Sequence, residues 1–232
     1  MRIAHPKTAI TMVMFLSLIL LTGCPPGMVT YTPSPGPGGA VQPAPREPIA
    51  SFVDVQGADV TVAGRPARVN TPVYEREEVR TGPGSTATIR FNGGGAMQLD
   101  ERTDPIFTLI KGTFCILIQM FTGHAQLDSQ GRYIEADTPE SDAFINSKID
   151  IRVQGGRTIW TVLDGRIEVS SKQNPRVRVP VTAGQRAEVL RARVEPPQPI
   201  PTTELRELQS RFMKIQVAPI RPKPGTTAPP IR

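Results

Sequence analysis

The chain has 232 residues, with 27 Lys and Arg against 21 Asp and Glu and a formal net charge of +6 at neutral pH. That mild excess is spread along the sequence, which argues against the clustered basic footprint of a nucleic-acid binder. Two cysteines are too few for an internal disulfide framework, so the core has to stand on packing.

The first element is the apolar run "AITMVMFLSLILL", which follows Arg2 and Lys7. A membrane-spanning helix needs roughly 20 apolar residues, so this shorter run behind a positive start predicts a secretory signal. It ends at Leu21-Thr22-Gly23-Cys24, an aliphatic residue, two small ones and a Cys, which resembles the lipobox of bacterial lipoproteins. The resemblance implies that Leu21, Thr22 and Gly23 are read by the signal peptidase and that the chain is cut before Cys24. Cys24 would then carry diacylglycerol and an N-acyl chain, with no other cofactor expected. One acyl chain holds a protein only marginally, whereas two or three anchor it durably. Pro25, in place of the Asp that retains many lipoproteins in the inner membrane, predicts an outer-membrane protein facing the periplasm. In a one-membrane bacterium the anchor would be the outer leaflet of the plasma membrane. Removing residues 1–23 takes away Arg2 and Lys7 and no acid, which leaves 25 bases against 21 acids.

Residues 24–49 are dense in Pro and Gly and lack a periodic apolar pattern, which predicts an extended tether. From residue 50 to 194 the pattern becomes short β-type runs broken by turn residues. "SFVDVQGADVTV" reads as two strands about a Gln56-Gly57 turn. "ATIRF" and "AMQL" follow the breakers "TGPGS" and "NGGG", and seven further runs continue to "RAEVLRARV". The sum is an all-β single domain of about ten to twelve short strands, a sandwich or a β-solenoid. "RIEVSS" and "RVRVPV" alternate, so Ile167, Val169, Val177, Val179 and Val181 should share a buried face. "FCILIQMF" does not alternate and should be buried on both faces.

After the domain, residues 195–232 form a Pro-rich tail with one helical signal over 203–216. Glu204 and Glu207 fall in its first turn, and Leu205, Leu208, Phe212 and Ile215 make one apolar stripe. A helix of about three turns is marginal alone, so it must dock on the domain or on a partner.

The stretch "EEVRTGPGSTATIRFNGGGAMQLDERT" resembles the FecR-type domain, which is named for a periplasmic regulator of iron-citrate signalling and recurs in exported bacterial proteins. "TIWTVLDGRIEVSS" and "VRVPVTAGQRAEVL" resemble its later marks, so the likeness spans about residues 70–190. "NGGG" stands where the family usually has Asp-Gly. Signalling members carry a cytoplasmic anti-sigma segment before a membrane span, whereas this chain begins at its signal sequence, so no direct sigma-factor contact is expected. Independently of the family, Gly82, Gly84, Gly165 and Gly184 sit between strands, where positive φ is often required.

Residues able to do chemistry are sparse. His124 in "FTGHAQL" reads as a turn residue with no second His or acidic cluster nearby in the sequence. Ser85 in "GPGST" lacks both the Gly-x-Ser-x-Gly pattern and a following helix. Asp100, Glu101 and Asp104 lack the alternating spacing of a calcium loop. Cys115 reads as an inert thiol and Trp160 as core. These residues predict a protein that is not an enzyme, with no metal site, acting as a protein-binding, signalling or scaffold module in the envelope. The alternative is a structural or sensor lipoprotein that binds peptidoglycan or another envelope glycan through Trp160, Tyr133 or the basic strand at Arg176 and Arg178.

Overall fold

A computed structural model describes residues 46–110, 115–190 and 193–212. The expected signal segment with Leu21, Thr22, Gly23 and Cys24 lies outside the described residues, as do most of the expected tether and the chain beyond residue 212. The described chain begins with strands β1 (Ala50–Gln56), β2 (Val60–Val62), β3 (Arg65–Pro66), β4 (Pro72–Val73) and β5 (Val79–Thr81). It continues through β6 (Thr86–Phe91), β7 (Ala96–Leu99), β8 (Pro105–Leu109), β9 (Ile116–Met120), β10 (Gly123–Asp128), β11 (Ile134–Asp137) and β12 (Ser141–Ile145). The last strands are β13 (Lys148–Gln154), β14 (Arg157–Asp164), β15 (Arg166–Ser171), β16 (Asn174–Thr182), β17 (Gln185–Leu190), β18 (Arg193–Val194) and β19 (Gln198–Pro199), followed by helix α1 (Thr202–Phe212).

The strands build a ten-stranded sheet in the order β18-β17-β14-β13-β10-β7-β6-β1-β4, with β19 also on β17. A six-stranded sheet runs β16-β15-β12-β11-β9-β8, and a small sheet runs β3-β2-β5. From β7 onward the chain passes back and forth between the two large sheets, so both line one core. Phe91 of the first and Phe107 of the second meet edge to face with ring centroids 5.5 Å apart. Among the described residues the only parallel pairing joins β9 to β11, whose connection runs through β10 in the opposite sheet. A solenoid would stack strands in parallel throughout, so this all-β domain is a sandwich.

Two burial expectations are corrected. Ile116, Ile118 and Met120 point inward while Leu117 and Gln119 are half-buried on the outer face, and Phe121 is 51% exposed. The run is apolar, yet the outer face of its sheet is only partly covered. In β16 only Val181 is buried and Val177 is 54% exposed. This strand lies at the edge of its sheet, and its register shifts between Ser170 and Ser171, which carries its first half past the core.

Gly84, Gly165 and Gly184 adopt positive φ as expected, but Gly82 does not. Gly82 is needed for close approach, because a Cβ there would lie 1.7 Å from Asp59 Oδ2. Helix α1 docks on the outward face of the ten-stranded sheet, where Leu205 and Leu208 pack with Ala96 and Leu163. Arg186 on β17 pairs with Glu204 in the first turn of the helix. Ile215 lies outside the described residues.

Candidate functional site

The densest polar constellation joins three neighbouring strands of the ten-stranded sheet. Register places Gln126 of β10 opposite Asp150 of β13 and His124 opposite Arg152, all on the face turned away from the core. Asp100 follows β7, and its N–H donates to His124 O at 2.9 Å. His124 Nδ1 lies 2.5 Å from Asp100 Oδ2, and Nε2 lies 2.6 Å from Asp150 Oδ2. Asp150 is only 1% exposed; Gln126 Nε2 donates to its Oδ2 at 3.2 Å, and Arg152 Nε lies 3.4 Å from its Oδ1.

Burial pulls the His124 pKa down, but hydrogen bonds and charges from Asp100 and Asp150 outweigh that and hold it at about 9. The hydrogen bond from His124 in turn holds Asp100 below the usual carboxylate value. An imidazolium that donates both N–H groups to carboxylates has no lone pair with which to accept a proton. It is a cross-link between strands rather than a general base. A cavity of about 480 Å³ opens beside it, where Arg102, Arg152 and Arg211 stand among Asp100, Glu101 and Gly123. Charged groups there already have partners: Arg211 pairs with Glu207 at 2.8 Å, and Glu101 Oε2 accepts the Gly84 N–H at 2.7 Å.

His124 is thus a strand residue, not the turn residue expected. Its position depends on Gly123, where φ is +106° and a Cβ would fall 2.5 Å from Thr103 Cα and 2.7 Å from Arg102 O. Thr103 in turn grips His124: its Oγ1 accepts the His124 N–H at 3.1 Å and donates to His124 O at 3.0 Å. Gly123→Ala should therefore cost about 1–3 kcal/mol from backbone strain and clash. Denaturant unfolding against wild type measures this, and an unchanged midpoint would refute the stated packing.

The other residues singled out go to separate partners. Ser85 is buried, and its Oγ accepts the Asp59 N–H at 3.1 Å. Asp100 faces His124, Glu101 caps Gly84, and Asp104 accepts the Thr122 N–H at 3.0 Å, so the three carboxylates do not converge. Burial pushes the half-buried Cys115 thiol up, away from a reactive thiolate. Trp160 is fully buried and donates from Nε1 to Ser141 Oγ at 2.9 Å, which removes it as a sugar-stacking platform. Tyr133, by contrast, is 69% exposed. The histidine clamp was not anticipated because Asp100 and Asp150 lie 24 and 26 positions from His124. The available signal was polar residues on the outward face of two β runs, His124 and Gln126 facing Asp150 and Arg152.

Fold and site together define a two-sheet β-sandwich cross-linked on one face by a histidine–carboxylate clamp. No family model matches the chain, and no curated protein matches it. Two crystal structures of a protein from Parabacteroides distasonis, provisionally described as an anti-sigma factor, are similar in structure at 13% identity and a TM-score of 0.47. The similarity covers 57% of this chain and only 64% and 63% of those chains.

Proposed function

We propose that the protein is a lipid-anchored envelope protein whose FecR-like β domain is a non-catalytic protein-binding, signalling or scaffold module. The anchor is acylated Cys24, and the favoured location is the outer membrane, facing the periplasm. The observation that carries the reading is the outer side of the six-stranded sheet, where Tyr133 and Phe144 stand exposed and line one shallow cavity with Ile145. Monomeric soluble proteins keep contiguous apolar patches small, and larger ones mark interaction surfaces. The imidazole at position 124 already gives both nitrogens to structure, which supports a role in binding over one in proton transfer.

The second reading, a lipoprotein that binds peptidoglycan or another envelope glycan, now rests on Tyr133, Arg176 and Arg178 alone. A cross-linking pull-down from intact cells, comparing wild type with Cys24→Ala, separates the two. A protein partner captured only by the anchored form is the expected result. Recovery of cell-wall glycan without a protein partner would overturn the module reading in favour of the second.

A further inference from the structure

Helix α1 is held to the domain by little. Of residues 202–211 only Leu208 is buried, Glu204 and Leu205 are half-buried, and the rest are exposed. The apolar contact is confined to Leu205 and Leu208 against Ala96 and Leu163, a cluster separate from the main core. One ion pair, Arg186 with Glu204, ties the first turn to β17. An isolated helix of 11 residues is marginal in water, so α1 stays folded only while this small contact holds.

The sheet face beneath it is polar. Register sets Thr88, Gln98, Gln126, Asp150, Thr161 and Arg186 in one row across neighbouring strands, on the side turned away from the core. On β7 the outward positions are Ala96 and Gln98, and Asp100 follows on the same side. Helix α1 meets both ends of that line, because Leu208 packs with Ala96 while Arg211 lines the cavity beside Asp100 and His124. Gln98 lies between these two contacts. Its Oε1 is buried without a hydrogen-bond partner, as is Oε1 of Gln126 directly opposite. Burying an unpartnered acceptor costs free energy that water returns once the helix lifts. Docking therefore sets one buried leucine and one ion pair against polar groups that favour release.

We propose that α1 is a releasable strap: it opens while the sandwich stays folded, and the unpartnered Gln98 amide keeps the docked state close in free energy to the released one. Release frees the Leu205 and Leu208 stripe and uncovers the polar row, so the intact protein alternates between two surfaces. This motion belongs to the chain itself, whatever partner the module takes.

Amide hydrogen exchange of the full chain purified from cells reads the opening directly. Amides of residues 206–211 should be slowed about tenfold or more relative to an unstructured peptide, yet exchange at least about 100-fold faster than those of β13 and β14. Low denaturant should change the α1 rates much less than the sheet rates, since lifting a strap exposes little surface. Leu208→Ala should erase the α1 protection and leave β13 and β14 unchanged. Gln98→Met, which keeps much of the volume and removes the unpartnered acceptor, should slow α1 exchange about tenfold, the scale of one relieved buried polar group. Exchange of α1 at the rate of β13 and β14, or loss of sheet protection in Leu208→Ala, would make the helix part of the cooperative core and overturns the proposal. An unprotected α1 in wild type, or an unchanged α1 rate in Gln98→Met, overturns it as well.

Discussion

His124→Gln should lower stability by about 3 kcal/mol near pH 6 and flatten the dependence of stability on alkaline pH. The substitution leaves Asp150, which is 1% exposed, with a buried charge and no cationic imidazole beside it. Breaking a buried ion pair typically costs about 3–5 kcal/mol, and Gln can return one neutral hydrogen bond. The pH dependence follows from the direction of each displacement. His124 is held at about 9, above its ordinary 6.5, so its contribution is complete below about pH 6.5 and is lost as pH rises through about 9. That rise corresponds to about 3 kcal/mol. Asp100 is displaced downward, so its contribution is present above about pH 4 and is lost on stronger acidification. The clamp should therefore contribute most between about pH 4 and 6.5. Unfolding curves measured from pH 5 to 9.5 test this, since His124 and His5 are the only histidines and His5 lies in the expected signal segment. An equal alkaline slope in wild type and variant would mean that the clamp does not hold the imidazolium.

What the sequence reveals about this fold is local. Runs such as "ATIRF", "AMQL" and "RIEVSS" are each preceded by a Gly-containing turn and alternate in the strand period, and each is a strand in the sandwich. β12 escapes that reading because "SDAFI" begins with a polar pair, and its alternation is carried mainly by Ala143 and Ile145. The outer face of "ILIQM" and the exposed half of β16 were misjudged for a different reason. Hydropathy identifies residues able to be buried, whereas burial depends on whether another layer covers that side of the sheet. The clamp is less legible still, since three strands must first acquire register before Asp100 and Asp150 can flank His124.

Trp160→Ala should be among the most destabilising single substitutions, at about 3–5 kcal/mol, because it empties the largest fully buried side chain of the core. Trp160 belongs to β14 in the ten-stranded sheet, and its hydrogen-bond partner Ser141 belongs to β12 in the six-stranded one, so the indole joins the two layers. Ser141 Oγ also lies 2.9 Å from Thr138 Oγ1, which lies 2.9 Å from Thr158 Oγ1. Removing the indole leaves Ser141 with a partner, so the cavity sets most of the cost. Trp160→Phe, which retains much of the volume, should be distinctly milder. Tyr133→Ala, at a side chain 69% exposed, should stay within about 0.5 kcal/mol of wild type. Loss of glycan or partner binding in Trp160→Ala would therefore report unfolding, whereas the same loss in Tyr133→Ala would report a binding surface. Guanidinium unfolding of the three variants, followed by far-UV circular dichroism, measures the contrast. A Trp160→Ala protein within about 1 kcal/mol of wild type would contradict an indole packed between the sheets, since full burial leaves no room for so small a loss.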